Sequence, residues 1–429
     1  MGSLNTLPAT EIARRVNGGE VTAEAVVRDC LARIEARENT VHAWAGLDPE
    51  LALREARERD RGGLKGPLQG VPVGVKDIID TADMATEMGS PIYQGFRPRS
   101  DAACVALARA AGAVILGKTV TAEFAGMTPG ATVNPHDPRH TPGGSSSGSA
   151  AAVADFMMPL AFGTQTGGSV LRPSSFCGIT GFKPTFGRYN RAGVKPAAES
   201  LDTVGLLART IEDIELLDCV LVGRPLSPPV PVESAPRIGV CRTHLWHMAQ
   251  PETVDALQDA AARLAAAGAS VREVNLATEF AELTRARELI NNYERARAMA
   301  YEWHYHRDLI SPRMQACIQL GLAIPHEEYA AAMNLASRCR AALDHVFDST
   351  DLILAPCVPG EAPAGHASGG DPRFQELWTL LHAPAITLPT HGGPNGLPVG
   401  IQLVGRRFDD ARTLQLARWV WSRLGSWKK

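Results

Sequence analysis

Apolar residues recur along this chain in two rhythms, one helical and one extended. Between Thr22 and Ala36, the positions Val26, Val27, Cys30, Leu31 and Ile34 fall three or four apart, and Thr22 stands where an N-cap side chain would accept a backbone N–H. The spacing predicts a helix lying on the outside of a sheet. Val71 to Ile79 and Ala113 to Leu116 are short runs rich in β-branched residues, with a helix-like stretch from Ala102 to Ala111 between them. Strand, helix, strand is βαβ rhythm. A second unit runs from Arg237 to Cys241, through a helix over Val254 to Ala267 capped at Gly268, to Val271 to Leu276. The stretch from Phe280 to Phe347 reads as almost wholly helical, and strands return at Asp351 to Ala355 and Val399 to Val404. No repeat of solenoid period is present, so strands from both ends of the chain are expected to share one sheet within a single domain over 1–429.

Two stretches break the rhythm. From Asn134 to Ser149 the chain turns to Pro, Gly, His and Ser, which predicts a long functional loop. Pro225, Pro228, Pro229, Pro231 and Pro236 predict a stiff surface crossing.

Composition narrows the classes of function. With 45% hydrophobic and 21% charged residues in 429, the chain can bury a large core. A net charge of -3 without blocks of like charge argues against a nucleic-acid partner and for a small molecule. No apolar run approaches the roughly 18 to 20 residues that cross a bilayer, so no membrane association is expected. No secretory leader is recognisable either. The eight scattered cysteines, without a Cys-x-x-Cys pair, fit a reducing cytoplasm. Met1 to Thr6 match the loose acylation pattern but no polybasic second anchor follows.

Three motifs promise chemistry that their context denies. Gly112 to Thr119 spell G-x-x-x-x-G-K-T, yet a helix precedes the first glycine and Ala-Val-Ile-Leu is strand-like where a phosphate cradle needs a loop. Gly144-Ser-Ser-Ser-Gly148 spells the nucleophile elbow of α/β-hydrolases, which requires a buried strand directly ahead; residues 134–142 hold three prolines instead. That leaves Ser146, with His366, His382 or His391 as base, as an esterase-like alternative. The pairs His304/His306 and His244/His247 lack cysteines or a well-spaced carboxylate, so no metal is expected.

A stronger constellation begins at Gly163-Thr-Gln-Thr-Gly-Gly168-Ser169. A glycine-rich turn lets successive backbone N–H groups converge, so Thr166, Gly167, Gly168 and Ser169 can form an oxyanion hole with a serine hydroxyl at its edge. A serine nucleophile needs a base, and no His or carboxylate adjoins this turn. Lys76 ends the apolar run 71–76. Desolvation there would lower its pKa and leave a neutral amine able to take a proton.

These segments together, Gly70-x-Pro72-x-x-x-Lys76-Asp77, Pro142-Gly-Gly-Ser145-Ser-Ser-Gly-Ser149 and Gly163 to Ser169, resemble the amidase signature family in order and spacing. The likeness continues through Phe176-Cys-Gly178, Gly181-Phe-Lys-Pro184, Ser200 to Gly205 and Gly396 to Gly405, nearly the whole chain. The resemblance implies an α/β fold, a large mixed β-sheet covered on both faces by helices, with no cofactor and commonly a homodimer. It implies hydrolysis of a small amide through an acyl-enzyme on Ser169, with Ser145, preceded by a cis bond from Gly144, passing the proton to Lys76.

Two departures from the commoner pattern point to a branch. Gln165 stands where many members carry Asp, and the arginine follows the nucleophile by three residues, at Arg172, rather than two. Both look like the malonamidase-type branch, in which the matching arginine holds a substrate carboxylate; the other role open to Arg172 is to tie down the turn. Gln165, Met127, Thr128 and the 302–306 region are further candidates for substrate binding. The amide-transferring subunit of a tRNA-dependent amidotransferase shares the core and is an alternative, as are a carbamate- or urea-type amidohydrolase and a catalytically silent binding protein.

Overall fold

The computed structural model describes residues 3–62, 65–226 and 232–428. Met1 and Gly2 of the acylation pattern, and Pro228, Pro229 and Pro231 of the proline-rich crossing, lie outside the described residues. Among those described, eleven strands form one sheet: β1 (Trp44–Leu47), β2 (Pro72–Lys76), β3 (Val114–Thr119), β4 (Leu160–Gln165), β5 (Thr180–Lys183), β6 (Thr203–Ala208), β7 (Arg237–Val240), β8 (Ser270–Glu273), β9 (Leu352–Pro356), β10 (Ala385–Gly392) and β11 (Pro398–Val404). Their spatial order is β1-β3-β2-β4-β6-β5-β10-β11-β9-β7-β8. Two parallel arms, β3-β2-β4 and β9-β7-β8, correspond to the two βαβ units, and the strands between them run antiparallel. The fold is the mixed α/β sheet expected, with strands from both ends of the chain side by side.

Alternation along the strands explains why helices cover both faces. Leu160 and Phe162 of β4, Ile115 of β3 and Leu206 of β6 enter the larger apolar cluster, while Ala161, Val114, Leu116 and Leu207, one position out of phase, enter a second. A period of two in a strand buried on both sides feeds two cores. The helix Ala23–Val41 begins as predicted, with Thr22 Oγ1 accepting the N–H of Ala25 at 3.1 Å, and it runs five residues past Ala36. The predicted loop is shorter than expected, because Ser147–Ala154 is a helix buried against the second cluster. Its four successive small apolar residues Ala150 to Val153 supply the packing that the Ser and Gly before them conceal.

The segment after residue 280 is helical as read, in Leu283–Ala298, Ala300–Tyr305, Pro312–Ala323 and His326–Val346. All eight cysteines are free thiols. Among the described residues no helix is long and apolar enough to cross a membrane.

Candidate active site

β2 and β4 are neighbours and run parallel, so Lys76 and Gln165, their last residues, leave the sheet at the same edge. Lys76 is fully buried, and its Nζ lies 2.7 Å from Ser145 Oγ, 2.8 Å from Thr164 Oγ1 and 3.5 Å from the Thr164 carbonyl oxygen. Burial pushes its pKa well below the usual lysine range; the Asp202 carboxylate works against that shift and the Arg295 guanidinium adds to it. Among the described residues no carboxylate lies within ion-pair distance of Nζ. The result is an amine held near neutrality by desolvation, facing hydroxyl groups.

The Gly144–Ser145 peptide bond is cis. Both flanking carbonyls are held: Arg172 Nη2 donates to Gly144 O at 2.8 Å and the Ala122 N–H to Ser145 O at 3.2 Å. The next residue joins the two serine segments, since the Ser146 N–H donates to Ser169 O at 3.3 Å. Ser146 is held by the backbone of β4. It is fully buried, and its hydroxyl donates to Thr164 O at 3.2 Å while accepting from the Thr164 N–H at 3.3 Å. Gly163 permits this contact, because a Cβ there would stand 2.8 Å from Ser146 Oγ. The histidines proposed to serve Ser146 lie elsewhere. His382 bonds Ser200 O at 2.9 Å and is pushed down to about 3 by burial, His391 meets Asp259 at 2.8 Å, and His366 is exposed at the rim of a cleft.

The turn after β4 is braced from several sides. Gln165 Oε1 accepts the N–H groups of Val170 and Leu171 at 2.9 and 3.0 Å, and its Nε2 donates to Thr379 Oγ1 at 3.0 Å. Thr379 Oγ1 donates in turn to Gly167 O at 2.7 Å. Thr166 Oγ1 donates to Asp202 at 2.6 Å, and Arg287, paired with Glu376 at 2.7 Å, reaches Thr166 O at 3.4 Å. A Cβ on Gly167 would come within 2.7 Å of Arg287 Nη2, which explains the glycine. Among the described residues the N–H groups of Thr166, Gly167, Gly168 and Ser169, the expected oxyanion donors, donate to no protein acceptor.

Beside Gly144 opens a cleft enclosing about 620 Å³, including its open mouth, lined by Met127, Gly143, Gly144, Arg172 and the strap 366–370 among others. Arg172 is 7% exposed, lowered to about 10 by burial, and its Nε and Nη1 are buried without a hydrogen-bond partner. Met127 lines the cleft as anticipated. Three other sequence candidates face elsewhere. Gln165 is fully buried in the turn brace, Thr128 bonds Ser311 at 2.8 Å, and Glu302 is buried against Tyr93 and Lys195 at 2.5 and 2.6 Å. Among the described residues no three His, Cys, Asp or Glu side chains converge as metal ligands. The phosphate-loop lookalike is a buried strand whose Lys118 donates to Ile79 O and Thr86 Oγ1 at 2.6 Å.

Sequence reasoning missed Thr164, Asp202, Arg287 and Arg313. The first two lie inside motifs already singled out, so a search for hydroxyls and carboxylates flanking the glycine turn would find them. Arg287 and Arg313 carry no local signal.

The Amidase family model matches residues 25–414. A glutamyl-tRNA(Gln) amidotransferase subunit of Chloroflexus aurantiacus is 34% identical over 481 aligned positions, covering 100% of this chain and 98% of that one. Among solved structures, one described as an amidase superposes with a TM-score of 0.90 at 32% identity over 98% of this chain and 100% of that one. The peptide amidase of Stenotrophomonas maltophilia does so with a TM-score of 0.84 at 29% identity, covering 98% and 97%.

Proposed function

The chain belongs to the Amidase family and is an amidohydrolase, and from that premise we propose that it cleaves the C–N bond of a small, carboxylate-bearing amide through an acyl-enzyme on Ser169. The single observation that carries this reading is the buried Lys76 amine, its pKa lowered by desolvation, 2.7 Å from the Ser145 hydroxyl. In the proposed cycle Lys76 takes the Ser145 proton as Ser145 takes that of Ser169, and the freed alkoxide attacks the amide carbonyl. The N–H groups of residues 166–169 receive the oxyanion. The proton returns through Ser145 to the departing amine, and water then repeats the sequence to release the acid. Among the described residues Ser169 Oγ makes no hydrogen bond, and the proposed cycle requires it to meet the Ser145 hydroxyl once substrate is bound; such contacts commonly tighten only in the complex.

Arg172 supports a substrate with a carboxylate near the scissile carbonyl, such as malonamate. Two buried donors without partners are costly unless a ligand satisfies them, and a guanidinium fork suits a carboxylate. Arg172 also holds Gly144 O, so both roles anticipated for it are compatible. The test is a hydrolysis panel of malonamate, neutral aliphatic amides, aryl amides and carbamates on wild type, Ser169→Ala and Arg172→Ala. Activity in Ser169→Ala sinks the mechanism; indifference of malonamate turnover to Arg172→Ala sinks the substrate class. A second reading, an amide-transferring subunit of a larger complex, is favoured by the name of the Chloroflexus relative. Stable co-purification with partner subunits would select it.

A further inference from the structure

The residues lining the cleft include two arginines, Arg172 and Arg313, and no carboxylate. They differ in depth. Arg172 is at the buried floor, three residues after Ser169, whereas Arg313 is exposed at the mouth, as the second residue of the helix Pro312–Ala323. Arg313 Nη1 donates to Ala367 O on the strap at 2.8 Å and to Met127 O at 3.5 Å, so it spans the two lips of the cleft. Among the described residues its Nε and Nη2 make no hydrogen bond and no carboxylate pairs with it. A guanidinium has five donors in a planar fork, and here those of Nε and Nη2 are unbonded at the entrance to a cleft whose lining includes no carboxylate.

Resting on the reading that Arg172 pins an acyl-side carboxylate, we propose that Arg313 is a specificity residue that binds a second anionic group, carried by the leaving amine. With the acyl end held on the floor, the amine must depart toward solvent, which is where Arg313 stands. The substrate class is then an N-substituted half-amide of a short dicarboxylic acid whose amine is an amino acid. The C–N bond breaks, the water oxygen ends in the new carboxylate, and the amine leaves with the returned proton as a free amino acid.

The probes are N-malonylglycine, its distally neutral twin N-malonylglycinamide, and malonamate. Calorimetry on Ser169→Ala protein reads recognition apart from turnover. N-malonylglycine should bind about threefold to fivefold more tightly than the twin, and Arg313→Ala should erase that difference while Arg313→Lys restores part of it; an exposed charge pair is worth a factor of this order. The preference should shrink as salt is raised, since the site is open to water. In the active enzyme Arg313→Ala should raise KM for N-malonylglycine about threefold to fivefold with kcat within about twofold, leaving the other two probes unchanged. Equal binding of the two twins overturns the proposal, as does failure of N-malonylglycine to bind. An equal loss for all three probes also overturns it, because Arg313 would then only latch the strap. If wild type hydrolyses none of the three, the amide-hydrolysis reading for malonyl acids fails, while the binding comparison still decides the role of Arg313.

Discussion

Adjacent strands β2 and β3 each carry a buried lysine near their last residue, and the two lysines have opposite surroundings. Lys118, 1% exposed, lies 3.5 Å from Asp77 and donates to Ile79 O and Thr86 Oγ1, with burial lowering it to about 8. Lys76 meets only hydroxyl and carbonyl oxygens, and one of those hydroxyls adjoins the cleft. Lys183, on β5, is buried too and lowered to about 7, yet its Nζ donates to Pro184 O at 2.8 Å and touches no serine. Desolvation alone therefore does not make a base. In the proposed cycle the partner hydroxyl that leads onward to Ser169 does.

The comparison is broken most decisively by Ser169→Ala and Lys76→Ala. The first should abolish turnover and the second should cost about three powers of ten or more in kcat, because the serine loses its route for the proton. Near-normal rates in either variant reject the assignment. Lys118→Met sharpens the contrast: it should lower stability by about 3 kcal/mol, the cost of leaving Asp77 buried without its cation, while kcat stays within about twofold. Thermal unfolding and kinetics on the same preparation separate the two effects. Ser146→Ala should leave labelling of Ser169 by a fluorophosphonate intact, and loss of labelling on correctly folded protein would revive the elbow reading.

The pH dependence follows from the same desolvation. Lys76 must be neutral to accept a proton, so activity should rise with pH through its lowered titration; a flat profile between about pH 5 and 9 would contradict it. Stability has its own sign. An unfolded lysine titrates near about 10.4, whereas folded Lys183 does so at about 7, so between those values the unfolded chain binds more protons and stability rises with pH. Lys183→Met should remove part of that slope, read from unfolding midpoints at pH 6 and 9. This is the smallest of the expected effects.

The β2–β3 and β7–β8 pairs were legible because each is local: a β-branched run, an amphipathic helix and a second run, all between Pro72 and Thr119 in one case and Arg237 and Glu273 in the other. β5 and β6 were not, since each is only four to six residues long and pairs with strands brought in from elsewhere. β10 contains Pro389, which argues against a central strand on sequence grounds, and a register shift after Leu388 accommodates it. In the site, Lys76, Ser145 and Ser169 announce themselves through glycine-rich context. Arg313 does not, because its cleft forms only where its helix meets a strap 54 residues later.

The hydroxyl of Thr379 that steadies Gly167 O belongs to a residue 212 positions further along the chain. At a synthesis rate of about 5 to 20 residues per second, Ser169 leaves the ribosome about 10 to 40 seconds ahead of it, and Ser145 and Lys76 earlier still. A nascent polypeptide halted after β6 thus contains every proposed reacting side chain but not the prop beneath them.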